Sequence, residues 1–61
     1  MRIKYLKCMD FTFDGVEVPD YRNIDALNKA IKNSEMIKVV SEDGDIDYVN
    51  GDYIMYVGVY I

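Results

Sequence analysis

Histidine and tryptophan are absent from this sequence of 61 residues, and cysteine and proline each occur once. Without histidine, and with Cys8 as the single thiol, the usual ligand sets for zinc, haem and iron–sulfur clusters are missing. A single cysteine also excludes an intrachain disulfide, which is typical of a protein from a reducing compartment. No glycine-rich loop leads from a predicted strand into a helix, as phosphate binding would require. We therefore expect no metal and no organic cofactor.

Groups that could carry out catalysis are equally few. Apart from the tyrosines, the hydroxyl side chains are Thr12, Ser34 and Ser41, and none of them belongs to an evident nucleophile–base pattern. Carboxylate pairs such as Asp10 with Asp14 would need burial to shift their pKa values, and a chain of this size has little interior volume for that. The sequence therefore predicts a protein that is not an enzyme.

Basic residues are in the minority, since seven Lys and Arg stand against eleven Asp and Glu and give a net charge of −4. This sign disfavours direct binding to nucleic acid and favours a partner protein with a basic surface patch. No apolar run approaches the length of a membrane span, and residues 1–4 lead into an alternating pattern without the apolar core of a signal peptide. We therefore expect a cytoplasmic protein of a bacterial host cell. The amino-acid composition favours residues with AT-rich codons, which suggests a gene of a low-GC bacterium or of one of its phages.

Three of the four glycines follow an Asp or Asn, in the pairs Asp14-Gly15, Asp43-Gly44 and Asn50-Gly51. Residues that alternate between apolar and polar flank each pair, which predicts hairpins closed by two-residue type I′ turns. The first turn would join a strand over 3–13 to one that ends before Pro19, and would place Phe13 opposite Val16. The other two turns would join strands over 36–42, 45–50 and 53–61 into a meander.

One helix is predicted over 24–33, because Asn23 can cap its start and Ile24, Leu27 and Ile31 form an apolar stripe. The element order is then β-β-α-β-β-β: a single α+β domain over 1–61, with a mostly antiparallel sheet and one helix on one face. The uncharged segment 53–61 needs a covering neighbour, which favours the sheet order 2-1-5-4-3 with the first and last strands parallel. In this element order the chain resembles a compact β-grasp domain.

The predicted register also assigns side chains to the two faces of the meander. Ser41 would lie opposite Ile46, which places Tyr48, Tyr53 and Met55 on the side that meets the helix. The opposite side would carry Ile54, Tyr56 and Tyr60. Such an aromatic surface is typical of cross-strand packing or of a recognition surface.

The acidic hairpin, which we define as residues 42–47, is the densest charge feature of the chain. Asp43, Asp45 and Asp47 match the opening of an EF-hand loop, but Tyr48 stands where that loop needs Gly and Ile54 where it needs Glu. A solvated turn that keeps a sheet edge soluble is therefore favoured over a metal site. Across the predicted turn Glu42 would face Asp45, and a basic partner would relieve their repulsion.

These features favour a small acidic protein-binding module, whose predicted contact residues are Glu42, Asp43, Asp45, Asp47, Ile54, Tyr56 and Tyr60. In size, acidity and tyrosine content the chain is similar to the short inhibitors that phages make against host enzymes or defence systems. That similarity implies an inhibitor or regulator that occupies a surface of a larger protein. The apolar sheet face also predicts a homodimer or a higher homo-oligomer. Two alternatives remain, a nucleic-acid mimic that fills a DNA-binding groove and a purely structural, self-associating subunit.

Overall fold

The helix α1 spans Ile24–Lys32 in the structure, a computed structural model that describes residues 1–60. Asn23 caps its start as predicted, because its Oδ1 accepts a hydrogen bond of 2.9 Å from the backbone N–H of Ala26. Leu27 and Ala30 on its inner side are buried against the sheet. Within residues 1–60 no helix is long and apolar enough to cross a membrane.

In the described part of the chain, five strands form one antiparallel sheet in the order β4-β3-β2-β1-β5, and α1 covers one face of it. The α+β class that the sequence predicts is confirmed. The strands are β1 (Arg2–Cys8), β2 (Thr12–Glu17), β3 (Met36–Val40), β4 (Ile46–Asn50) and β5 (Ile54–Gly58).

The predicted strand order 2-1-5-4-3 is wrong in one pairing and one direction. Strands β1 and β5 are neighbours, as predicted, but they run antiparallel rather than parallel. The predicted pairing of β4 with β5 is replaced by a pairing of β2 with β3, at Glu17 and Val40. β5 also ends at Gly58, so it is shorter than the predicted strand 53–61, whose last residue lies outside the described part of the chain.

Asn50-Gly51 does not form a hairpin turn, and this explains the change of order. Residues Gly51–Tyr53 form a short 3-10 helix, and the N–H of Gly51 donates to the carbonyl of Glu35 over 2.9 Å. A Cβ on Gly51 would lie 2.6 Å from the carbonyl oxygen of Ile31. Glycine is therefore required here by its close approach to the end of α1. Held against α1, the connection carries the chain away from β4 and across to the far edge of the sheet.

Asp14-Gly15 does not form the first turn either, although Gly15 has a positive φ of 58° inside β2. The chain reverses at Met9 and Asp10 instead, where the N–H of Cys8 donates to the carbonyl of Phe11 over 2.8 Å. The predicted single strand 3–13 is thus two strands, and Phe13 lies opposite Leu6 rather than opposite Val16.

Along β1 and β2 the buried side chains switch between odd and even positions. A strict alternation of apolar and polar residues therefore does not reveal which side chains form the core. Ile3 and Leu6 are both buried although they are three residues apart. Opposite them lie Val16, which is buried, and Phe13, which packs against the core, with Gly15 in its left-handed conformation between them. The buried core is Ile3, Leu6, Cys8, Val16, Val18, Leu27, Ala30, Ile37, Val39 and Val49.

Asp43-Gly44 is the one Asx-Gly pair that closes a hairpin, although its register is displaced by one residue. Gly44 has a φ of 89°, and the N–H of Ser41 donates to the carbonyl of Asp45 over 2.9 Å. The loop therefore has three residues rather than two, with glycine at its left-handed position. A shift of one residue turns every side chain of β4 to the other face, so that Val49 is buried and Tyr48 is exposed.

Candidate functional site

The predicted contact residues lie at the two opposite edges of the sheet. Glu42, Asp43, Asp45 and Asp47 belong to the β3–β4 hairpin or to β4 itself, whereas Tyr56 belongs to β5 and Tyr60 follows it. β4 and β5 are the outermost strands, four strand spacings or roughly 19 Å apart. The acidic hairpin and the tyrosines therefore do not form one continuous surface.

In the acidic hairpin, Glu42 has a cationic partner from the chain itself. Arg2 Nη2 lies 2.8 Å from Glu42 Oε1 and also donates to the carbonyl of Gly15 over 3.3 Å. The predicted opposition of Glu42 and Asp45 is wrong, because Ser41 is the residue that closes the loop with Asp45, and its Oγ accepts from the Asp45 N–H over 3.1 Å. The cross-strand pair from which that repulsion was expected is thus not formed.

The remaining carboxylates of the hairpin, those of Asp43, Asp45 and Asp47, are exposed. Among residues 1–60 no three Asp, Glu, Cys or His side chains come together as a metal site would need. What the hairpin supplies is a local negative potential at one end of the β3–β4 pair.

At the β5 edge, Tyr56 and Tyr60 are exposed but Ile54 is not beside them. Ile54 lies opposite the buried Cys8 and packs against the core, so its predicted place on the tyrosine face is wrong. The register between β1 and β5 shifts between Lys7 and Cys8, which gives β5 one extra residue at Met55. That irregularity turns Ile54 inward while Tyr56, opposite Lys7, stays outward.

A cleft lies where the two hairpins of the sheet diverge. β2 and β3 are paired at Glu17 and Val40, and within the described chain this is their single ladder pair. From that point the β1–β2 and β3–β4 hairpins separate, and the separation opens a cleft of about 500 Å³ at the other end of the sheet. Large apolar side chains that are exposed to solvent line it: Met9, Phe11, Met36, Tyr48 and Tyr53.

The walls of the cleft are held by a backbone hydrogen bond and by side-chain contacts. The N–H of Met9 donates to the carbonyl of Tyr53 over 2.9 Å, which ties the β1–β2 turn to the 3-10 connection. The ring of Phe11 packs edge-to-face on Phe13, with centroids 4.9 Å apart. On the opposite wall Asn50 donates from its side chain to the carbonyl of Ser34 over 3.2 Å. The cleft is therefore largely preformed.

Cys8 also lines the cleft, but its chemistry is that of a core residue. Its side chain is buried, and burial raises the pKa of the Cys8 thiol, against the smaller opposite effect of Lys7. The group is consequently a neutral thiol at physiological pH and a poor nucleophile. With the buried Val49 it gives the cleft an apolar inner wall.

Sequence reasoning did not find this cleft. The predicted strand over 3–13 contains Met9 and Phe11, and the predicted meander has Tyr48 and Tyr53 on its helix-facing side. The cleft depends on a turn at Met9-Asp10 and on the divergence of β2 from β3, neither of which has a local signature. The one available signal was compositional, since the four methionines and six tyrosines exceed what so small a core can bury.

Comparisons with protein-family models, with curated proteins and with solved structures give no match to this chain. The geometry of the cleft, the two sheet edges and the charge distribution are therefore the basis for assigning a function.

Proposed function

We propose that this protein is a non-enzymatic protein-binding module, an inhibitor or regulator that occupies a surface of a larger protein and receives an apolar side chain of that protein in the cleft. The observation that carries the proposal is the convergence of five exposed apolar side chains on one concave, preformed site. Concave apolar sites with few polar groups are where proteins bind ligands and the anchor residues of partners.

The residue types in the cleft suit a protein partner. Tyrosine and methionine are enriched at the centres of protein interfaces, because tyrosine offers a large area at low entropic cost and methionine adapts its shape. Met36 is 56% exposed, Tyr48 61% and Tyr53 58%, so most of their apolar area is still in contact with water. Burying it beneath a partner would contribute about 25 cal/mol for each Å² removed from water.

The charged residues at and near the cleft favour a partner with basic residues beside its apolar anchor. Among the described residues that line the cleft, Asp10 is the one ionisable side chain apart from the tyrosines and the buried Cys8, and it lies at the turn between β1 and β2. An apolar anchor flanked by Lys or Arg would satisfy both features of the site. The acidic hairpin lies at the opposite end of β3 and β4, so it would steer a basic partner during approach rather than contact the anchor.

The test compares two charge-matched variants. Met36→Lys places a cation in the cleft, whereas Ile46→Lys places one on β4 outside it; the two side chains are 56% and 54% exposed, so neither change disturbs the core. Wild type and both variants are immobilised and exposed to a low-GC bacterial lysate, and the proteins that each retains are quantified by mass spectrometry. The protein most enriched by wild type is then purified, and its affinity for all three chains is measured at low and high salt.

We expect wild type and Ile46→Lys to bind the purified partner with dissociation constants within about threefold of each other. Met36→Lys should bind at least about 10-fold more weakly, because loss of a hot-spot contact at the centre of an interface costs about 2 kcal/mol or more. Equal binding by all three proteins, or retention of nothing, would contradict the proposal. Binding that is weakened most by Ile46→Lys and falls steeply with salt would instead support a nucleic-acid mimic.

A further inference from the structure

β5 is an edge strand without the features that usually protect one. Within residues 1–60 it pairs with β1 alone, so its outer N–H and C=O groups have no strand partner. The segment 53–61 contains no charged residue and no proline. Natural proteins protect exposed edge strands with charged residues, proline or a covering element, because an unprotected edge strand pairs with another strand.

The opposite edge of the sheet is protected in the usual way. β4 carries Asp47, and Asp43 and Asp45 immediately precede it. Antiparallel pairing of two copies centred on β4 would place the two Asp47 side chains close to each other on adjacent strands, and like charges so placed destabilise a ladder. β5, in contrast, can accept a second copy of the same chain without bringing charged residues together on the paired strands.

We propose that two copies of this chain associate edge to edge through β5 and form a continuous ten-stranded antiparallel sheet. A twofold axis perpendicular to the sheet generates this pairing, and it places both α1 helices on the same face. The cleft opens between β2 and β3, which are separated from β5 by β1, so both clefts stay accessible. The dimer is independent of the proposed partner binding.

The area available predicts a weak dimer. Met55, Tyr56, Val59 and Tyr60 are all exposed at this edge. Together they offer on the order of 400–500 Å² per copy, about half of the area that each partner contributes to a standard stable interface. The extra residue at Met55 bends the strand and leaves Tyr56–Gly58 as its regular stretch. We therefore expect self-association in the micromolar to millimolar range.

The experiment is sedimentation equilibrium of the full chain from about 10 µM to 2 mM, on wild type and two variants. Tyr56→Lys places a charge on the β5 edge, and Ile46→Lys places the same charge on the β4 edge at similar exposure. Circular dichroism establishes that each variant folds. Should Tyr56→Lys fail to fold beside Lys7, Val59→Lys, which lies beyond the end of β5, replaces it.

We expect the mean mass of wild type and of Ile46→Lys to rise with concentration towards that of a dimer, and the edge variant to dimerise at least about 10-fold more weakly. In wild type, amide chemical shifts that change with concentration should cluster in residues 54–60. A wild-type protein that stays monomeric at 2 mM would overturn the proposal. The proposal would also be overturned if the β4 and β5 variants weakened dimerisation equally, or if the concentration-dependent amide chemical shifts centred on the cleft.

Discussion

At the scale of single residues, Gly51 is a position where the surrounding backbone leaves no room for a side chain. A Cβ there would lie 2.6 Å from the carbonyl oxygen and 2.8 Å from the Cα of Ile31, both backbone atoms that no side-chain rotation can move. We expect Gly51→Ala to lower the free energy of unfolding by about 3 kcal/mol, at the upper end of the cost of overpacking.

Gly44→Ala is the matched control. Gly44 has a φ of 89° but open space around its Cβ position, so alanine there meets backbone strain without a clash. We expect it to cost about 1 kcal/mol. Urea unfolding of both variants decides the comparison. If Gly44→Ala proved the more damaging, glycine at position 51 would have to be explained by turn geometry, and the account of the 3-10 connection would be wrong.

Cys8 gives a second prediction at this scale. Burial raises the pKa of its thiol, so the folded protein binds a proton that the unfolded chain releases at high pH. The stability this contributes is fully present below the thiol's unfolded pKa of about 8.5 and is lost as pH rises through the raised folded value. We expect wild type to lose more stability than Cys8→Val between pH 7 and pH 10, measured by urea unfolding.

The comparison with Cys8→Val isolates the thiol. Burial, with Glu35 and Asp20, also raises the pKa of Tyr21, but that contribution is common to both proteins. A thiol reagent should react with folded wild type at least about 100-fold more slowly than with the protein in urea, since access requires opening of the core. Equal pH dependence of the two proteins, or rapid labelling of the folded state, would show that Cys8 is accessible.

At the scale of elements, α1 depends on its N-cap. Asn23 supplies the Oδ1 that accepts from the Ala26 N–H. We expect Asn23→Ala to cost about 1 kcal/mol, whereas Asn28→Ala on the exposed side of the helix should be neutral or slightly stabilising. Thermal unfolding followed by circular dichroism measures both. Similar effects of the two substitutions would mean that the helix is held by packing alone.

The elements also show which features local sequence can predict. The helix follows from a cap residue and an apolar stripe within ten residues, and the prediction was close to the observed Ile24–Lys32. The Asx-Gly pairs were less informative, because glycine serves three purposes here. Gly44 occupies a left-handed loop position, and Gly51 makes room for α1. Gly15 lies within β2, where the core-facing positions change from odd to even residue numbers. Only the first of these roles is a turn signal.

Strand order and the candidate site depend on contacts between residues far apart in the chain. The connection that leads from β4 to the far edge of the sheet packs at Gly51 against Ile31, twenty residues earlier in the chain. The displaced register of β4 then moves Tyr48 from the core to the cleft. For this reason the acidic hairpin could be placed from sequence, whereas the cleft could not.

At the scale of the whole molecule, most of the exposed large apolar side chains lie away from the acidic hairpin, with Ile46 as the exception. Apolar side chains concentrate in the cleft and along the β5 edge, while the acidic hairpin lies at the far end of β3 and β4. Under the proposed function, the cleft would serve docking and the acidic hairpin would serve long-range steering. Added salt should therefore slow association with a basic partner while leaving its dissociation nearly unchanged, which stopped-flow or surface-based kinetics can measure.

The central claim is that the cleft, rather than the β5 edge, contacts the partner protein. Tyr48 in the cleft, Tyr56 on β5 and Tyr60 beyond it are 61%, 60% and 59% exposed, so they can be compared at equal accessibility. The most direct measurement replaces each in turn with a photoreactive benzoylphenylalanine and irradiates the protein in a bacterial lysate. We predict that the probe at position 48 crosslinks to a larger protein, while those at 56 and 60 give a band at twice the mass of the chain. A larger protein captured at 56 or 60 and not at 48 would contradict the account.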